Sequence, residues 1–298
     1  MDHPDPTYNA ATGLPATLVH YALQPVALIL ILAYWMTAAN PLAFFITIGS
    51  LQVALGVLER LLPARPGWVI RGWEQVRNIL IVVVLTIAIG YVAAFYDQVL
   101  REPLAVFRES LHLDVWPHHW PLLAQVFLVF FASEFIWYWF HRAEHRWHPV
   151  WRLSGHGVHH SFKRLGALNF GLNHPLEFFL LVLPAALVEL TFGVGAAAAG
   201  AAIFSTAQAS IAHANLDLNA RGIGWLFTTN RYHIHHHSMV MAESNTNYGC
   251  SAIVWDRLFG TFADARTVEA GTGPTEPTLW QKVLMPLREP ADTAIAPD

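Results

Sequence analysis

The sequence predicts an all-α fold, an integral-membrane bundle of about four transmembrane helices plus an apolar helical hairpin, with a His-rich cap. Three observations predict it. Charged residues make up 13% of the 298 and the hydrophobic set 54%, whereas soluble domains carry about 25% charge. The charges are gathered between long uncharged runs. Histidines number 17, as many as Lys and Arg together, and they crowd into the second half of the chain. This composition excludes disorder and an ordinary soluble domain. A net charge of -4 gives a nucleic-acid partner no electrostatic support. The single Cys250 excludes an internal disulfide framework and a thiolate-cluster metal site.

The elements follow from the charge map. Residues 6–58 carry no formal charge, and about 20 apolar residues cross a bilayer, so this run holds two helices, at 17–37 and 41–58. Thr37-Ala38-Ala39-Asn40 and Pro41 mark the turn between them. An uncharged run at 78–96 predicts a third helix. Another at 115–133, continuing past Glu134 to Phe140, predicts a fourth. From Phe178 to Leu216 the only charge is Glu189, and Gly193 and Gly195 break the stretch into a hairpin. The expected division is transmembrane helices over 1–140, a His-rich region over 141–264 that includes a membrane hairpin at 176–213, and a polar, poorly packed tail over 265–298. No basic leader precedes the first helix, so no cleavage is expected. The loops 59–77 and 141–164 are rich in Arg, which places them and everything from 141 onward at the cytoplasmic face.

The histidines are spaced rather than scattered. His141 and His145 stand at i and i+4. His156, His159 and His160 stand at i, i+3 and i+4, and so do His233, His236 and His237. On a helix each set shares one face. Eight imidazoles exceed what one ion takes, so the count predicts a di-metal cap, of a metal suited to imidazole such as Fe, Zn, Cu or Ni. His235 points off the face of its cluster. His148 lies on the face of His145 but has Pro149 behind it. His174 and His213, at the entrance and exit of the hairpin, are delivered to the same level as the clusters and join the candidate ligands. His118 and His119 read as polar anchors at a membrane boundary. No Glu-x-x-His repeat of a carboxylate-bridged di-iron bundle occurs. Glu134, Glu144, Glu177, Asn215 and Asp256 are instead placed around the ligands, because a metal-bound imidazole donates its other N–H to an oxygen. Glu144 has a competing reading as an ion-pair partner of Arg142 or Arg146.

Over roughly 120–262 these motifs resemble the fatty acid hydroxylase and sterol desaturase superfamily of membrane di-iron oxygenases. The resemblance is carried by Tyr138-Trp139-Phe140-His141-Arg142-Ala143-Glu144-His145, by His156-Gly157-Val158-His159-His160-Ser161 and by His174-Pro175-Leu176-Glu177. His213-Ala214-Asn215, His233-Ile234-His235-His236-His237-Ser238 and the closing Asn247-Tyr248-Gly249 and Trp255-Asp256-Arg257-Leu258-Phe259-Gly260-Thr261 complete it. Glu134 is a departure, standing where the family often has Asp. The resemblance implies a helical membrane domain, two Fe ions (with Zn as a substitute), O2 activation and insertion of oxygen into a lipid C–H bond such as that of a sterol, fatty acyl chain or alkylglycerol.

The residues agree with that chemistry. Neutral imidazoles leave the ions strongly cationic, and the helices offer a lipid tail an apolar route. No haem-attachment Cys motif, nucleotide fingerprint or Fe–S cysteine set occurs, so an external electron donor, a separate electron-transfer protein or reductant, is expected. The basic residues Arg142, Arg146, Arg152, Lys163 and Arg164 offer it a docking face. Two alternatives stay open: a di-iron lipid desaturase or carotenoid hydroxylase, and a non-oxidative metal-binding membrane protein.

Overall fold

The computed structural model describes residues 8–10, 12–38 and 42–289. Ala39, Asn40 and Pro41 of the expected first turn, and the last nine residues of the expected tail, lie outside them. The described residues form a helical membrane bundle with no β-strand, only an isolated bridge between Ser238 and Ala270. Its helices are α1 (Leu14–Thr37), α2 (Ala43–Leu61), α3 (Gly72–Ser110), α4 (Leu122–Arg146), α5 (His148–Ser154), α6 (His156–His160), α7 (Phe178–Phe192), α8 (Ala197–His213), α9 (Asn230–His236), α10 (Met241–Ser244), α11 (Val254–Phe259) and α12 (Leu279–Leu284). Five helices are long and apolar enough to cross a membrane: α1 to α4 and the stretch Pro175–Phe192 that ends in α7.

The third helix exceeds its expected span of 78–96 at both ends. A charge marks where a bilayer would end, not where a helix ends. Residues 97–110 are largely good helix formers, and Arg101 pairs with Asp97 one turn back. Pro103 is accommodated within α3. The fourth helix runs past Phe140 to Arg146 without a break, so His141 and His145 sit on its last turns.

Gly193 ends α7 in the left-handed conformation at φ 66°, which costs glycine little. The chain returns as α8, a helix of small residues that runs through the centre of the bundle and packs against α1, α2, α4 and α9. A Cβ on Gly200 would stand 2.6 Å from Trp35 and Val126, so a side chain there would force α1 and α4 away from α8. Leu55, Val126, Phe130, Ile203, Ala207 and Ile211 form part of the core around it.

Residues 265–289 depart from the expected poorly packed tail. Met239 N–H donates to the Glu269 carbonyl and Gly271 N–H to the His237 carbonyl, at 2.9 and 3.2 Å. Met285, 1% exposed, lies so close to Gly157 that a Cβ there would meet its sulfur at 2.9 Å. The Pro- and Thr-rich composition concealed these anchors, which are one methionine and backbone groups.

Candidate metal centre

Four helices deliver the imidazoles. α4 carries His141 and His145 one turn apart. α6 carries His156, His159 and His160, and is set off from α5 by Gly155 at φ 78°. A Cβ on Gly155 would stand 2.6 Å from His174, so glycine is needed for space as well as for conformation. α9 carries His233 and His236, with His237 as its capping residue. His213 is the last residue of α8.

The rings gather into two buried groups. His141, His145, His156, His160 and His236 form one; His159, His213, His233 and His237 form the other; within each, ligand atoms lie within 4.8 Å of one another. In the first group Nε2 of His141 is 3.0 Å from that of His156 and 3.1 Å from that of His236, and His145 stands 3.1 and 3.2 Å from His156 and His160. In the second, His213 stands 3.2 Å from His159 and 2.9 Å from His233, and His233 3.2 Å from His237. The groups adjoin, with the His160 and His237 rings stacked at 4.4 Å between centroids. α6 and α9 each feed both groups.

The hydrogen bonds on the far side of the rings fix what faces inward. Nδ1–H of His141 donates to the Tyr248 carbonyl at 2.6 Å, that of His236 to the Thr246 carbonyl at 2.8 Å, and that of His213 to the Ala209 carbonyl at 2.7 Å. A carbonyl can only accept, so these Nδ1 atoms hold the proton and a neutral ring leaves Nε2 bare. His141 and His236 therefore aim lone pairs at each other across 3.1 Å, an arrangement that a cation between them relieves. Burial, and then neighbouring imidazoles, hold His156, His159, His160, His233, His236 and His237 well below the ordinary imidazole pKa. They stay neutral, as ligands must. The donor set fits a pair of metal ions that favour nitrogen.

The expected partners divide. Glu177 accepts from His156 Nδ1 at 2.8 Å. Glu144, fully buried, lies 3.6 Å from the same nitrogen, and neither of its oxygens has a hydrogen-bond partner among the described residues. Its competing ion pair with Arg142 does not form; Arg142 donates to the Tyr138 hydroxyl and lies over Trp139. Glu134 binds Ser205 and the Ser251 backbone rather than an imidazole. Asp256 accepts from Tyr248 N–H and Gly249 N–H at 2.8 and 2.7 Å, so it holds the loop whose carbonyl orients His141. Asn215 clasps the Arg65 backbone.

His174 stands outside both groups. Its Nδ1 accepts from Leu176 N–H at the start of the turn Pro175–Glu177 and its Nε2 donates to the Val283 carbonyl, so both ring nitrogens are occupied. His148 pairs with Glu289 at 2.7 Å. His235 is buried on the far side of α9, with Nδ1 3.0 Å from the Thr267 hydroxyl. The sequence reading missed Asn245, whose Oδ1 accepts from His145 Nδ1 at 3.3 Å, and the Thr246 and Tyr248 carbonyls. Backbone acceptors leave no trace in residue type, though Asn247 at φ 55° marks the bend that presents them. It also missed Glu59, which accepts from the Ala167 and Asn215 backbone N–H groups at 2.8 Å each.

The sequence profile described as Fatty acid hydroxylase matches residues 126–261, from within α4 to just beyond α11, and so spans all nine gathered imidazoles. That match, over just under half of the chain, supports the resemblance to the fatty acid hydroxylase superfamily. The chain is similar to ornithine lipid hydroxylase OlsE of Rhizobium tropici, at 30% identity over 72% of this chain and 65% of that one. It is similar to alkylglycerol monooxygenase of Xenopus tropicalis at 27%, over 56% of this chain and 33% of that one. It is similar also to very-long-chain aldehyde decarbonylase GL1-11 of Oryza sativa subsp. indica at 29%, over 55% and 60%. The match thus spans less than two thirds of each of these relatives. No solved structure matches the chain.

Proposed function

We propose that the chain is a membrane-bound di-iron monooxygenase that inserts one oxygen atom from O2 into a C–H bond of a lipid. The observation that carries this reading is the convergence of nine buried imidazoles into adjoining groups of five and four. His141, His145, His156, His160 and His236 would hold one ion, and His159, His213, His233 and His237 the other. Bound iron would supply the O2 activation that no side chain here can perform. The relatives named for lipid hydroxylation and monooxygenation support oxygen chemistry on a lipid.

The chain's own residues bind, orient and exclude water. The Tyr248, Thr246 and Ala209 carbonyls and the Glu177 carboxylate set the ring planes. Burial of every ligand ring at 5% exposure or less keeps bulk water from the reacting centre. Electrons come from a separate donor, because the sequence has no motif for a redox cofactor of its own. The Arg-rich loops 59–77 and 141–164 support a cytoplasmic position for the centre, within reach of such a donor. Cells with and without the protein, grown under 18O2 and compared by untargeted lipid mass spectrometry, test the reading. A labelled lipid gaining one oxygen supports it. A lipid that only loses two hydrogens replaces it with desaturation.

A further inference from the structure

The short helix α12 is built the wrong way round for water. Its one cation, Lys282, is 6% exposed. It is bound to Glu276 at 2.7 Å and lies over the Phe162 ring. Leu279, Trp280, Val283 and Leu287 are instead 48–80% exposed. The turn continues past the helix end, since the Leu284 carbonyl accepts from Leu287 N–H and Arg288 N–H at 2.9 and 2.8 Å. At about 100° per residue, the four apolar side chains lie within one arc of about 100°. A helix on a solvated surface turns such an arc inward and its charges outward. An exposed apolar arc therefore marks a face made for contact.

Two contacts set the level of α12. His174 Nε2 donates to the Val283 carbonyl at 3.2 Å, and His174 immediately precedes the apolar span Pro175–Phe192. On another side α12 faces α3 across a cavity of about 390 Å³, lined by Glu74, Arg77, Ile81 and Leu85 from α3 and by Leu279 and Val283 from α12. Between Arg77 and Ile81 the charges of α3 give way to its uncharged run, and from there α3 exposes Leu80, Val83 and Val84. α12 thus sits where two spans meet the edge of the bilayer. We propose that α12 is an interfacial helix whose Leu279, Trp280, Val283 and Leu287 insert at the boundary between lipid headgroups and acyl chains. Tryptophan favours that boundary, and a helix with one apolar face lies in its plane. Lys282 and Met285 hold α12 to the protein. Met285 packs on Gly157 of α6, between His156 and His159, so the anchor ties the three-histidine helix to the membrane surface. This holds whichever reaction the centre performs.

The test uses the full chain in phosphatidylcholine vesicles, with an environment-sensitive fluorophore on Trp280→Cys or, separately, on Leu287→Cys. Both side chains are exposed, so neither change removes a core contact. Wild-type protein carried through the same labelling corrects for Cys250, the native thiol. Emission from both positions should shift to the blue. Lipids bearing a nitroxide near the top of the acyl chain should quench it, at the depth of about 5–10 Å that interfacial helices reach. Aqueous iodide should leave it unchanged. Absence of nitroxide quenching at both positions overturns the proposal. Quenching by iodide instead would put the arc in water. Shielding from both quenchers that is lost when the protein is diluted with lipid would put a second copy of the chain there.

Discussion

His236 and His237 are consecutive in the chain, yet their Nε2 atoms enter different groups: His236 lies 3.1 Å from His141 and His237 lies 3.2 Å from His233. Consecutive helical residues diverge by about 100° around the axis, and α9 ends where that divergence spans the boundary between the groups. His236→Ala and His237→Ala should therefore each lower metal content from about two ions per chain to about one, by loss of different ions. His235→Ala should leave both ions in place, since its ring faces Thr267. Elemental analysis of the three purified variants decides the matter. Loss of both metals from His235→Ala would mean that α9 presents another face.

The groups differ in how firmly their rings are held. Nδ1 of His141, His145, His156 and His236 each has a hydrogen-bond partner. In the second group Nδ1 of His233 and His237 has none among the described residues. Outer partners of this kind are worth about 10–100-fold in metal affinity. A chelator should strip the four-histidine group first, leaving a one-metal form before the empty protein. Strict loss of both metals together, followed by metal analysis over time, would contradict this.

Among the described residues, Glu177 supplies the only carboxylate within hydrogen-bond distance of a candidate ligand imidazole, at 2.8 Å from His156 Nδ1. Glu177→Ala should weaken metal binding by about 10–100-fold. Glu177→Gln should do much less, because its amide oxygen still accepts that N–H. Competition titration with a metallochromic dye on both variants gives the comparison. Equal losses would show that the negative charge matters and the acceptor does not.

Acid should undo the centre in a defined direction. His156, His159, His160, His233, His236 and His237 have native pKa values well below 6.5, the ordinary imidazole value. The unfolded chain takes up protons below pH 6.5 that the native rings refuse. Stability is thus fully present above that pH and falls as pH drops from it toward the lower native values. Thermal melts of metal-free protein in detergent from pH 8 to pH 5 should show the midpoint falling only below about 6.5. A midpoint that rises as pH falls from about 6.5 would have the sign wrong.

A cysteine placed at Ala38, at the end of α1, should react only with reagents added outside the cell, as the Arg-rich loops require. Labelling only from the inside would move the histidines to the opposite face, away from cytosolic reductants.

Much of the bundle was legible because bilayer length and charge segregation act directly on composition. α1, α2, α4 and the break at Gly193 can be placed from these alone. The length of α3 could not, since helix formers such as Gln98, Leu100 and Glu102 continue a helix in water as readily as in lipid. The spacing of His141 and His145 is visible because a helix repeats every 3.6 residues. The division into five and four is not visible, because it depends on how α6 and α9 cross. His174 shows the opposite failure. Its place before the hairpin suggested a ligand, but a neutral ring at a turn start finds its partners in the backbone of Leu176 and Val283. The packing of residues 265–289 rests on Met285 and on carbonyls, neither of which has a pattern.

Bare nitrogens from α4, α6, α8 and α9 facing one another at about 3 Å would make bound ions part of what keeps these helices together. A chain made in a cell starved of metal has the same sequence but lacks that clasp, and a helix end that opens is exposed to proteases. The amount of this protein in a cell should therefore follow the cell's metal supply even when its message is made at a constant rate.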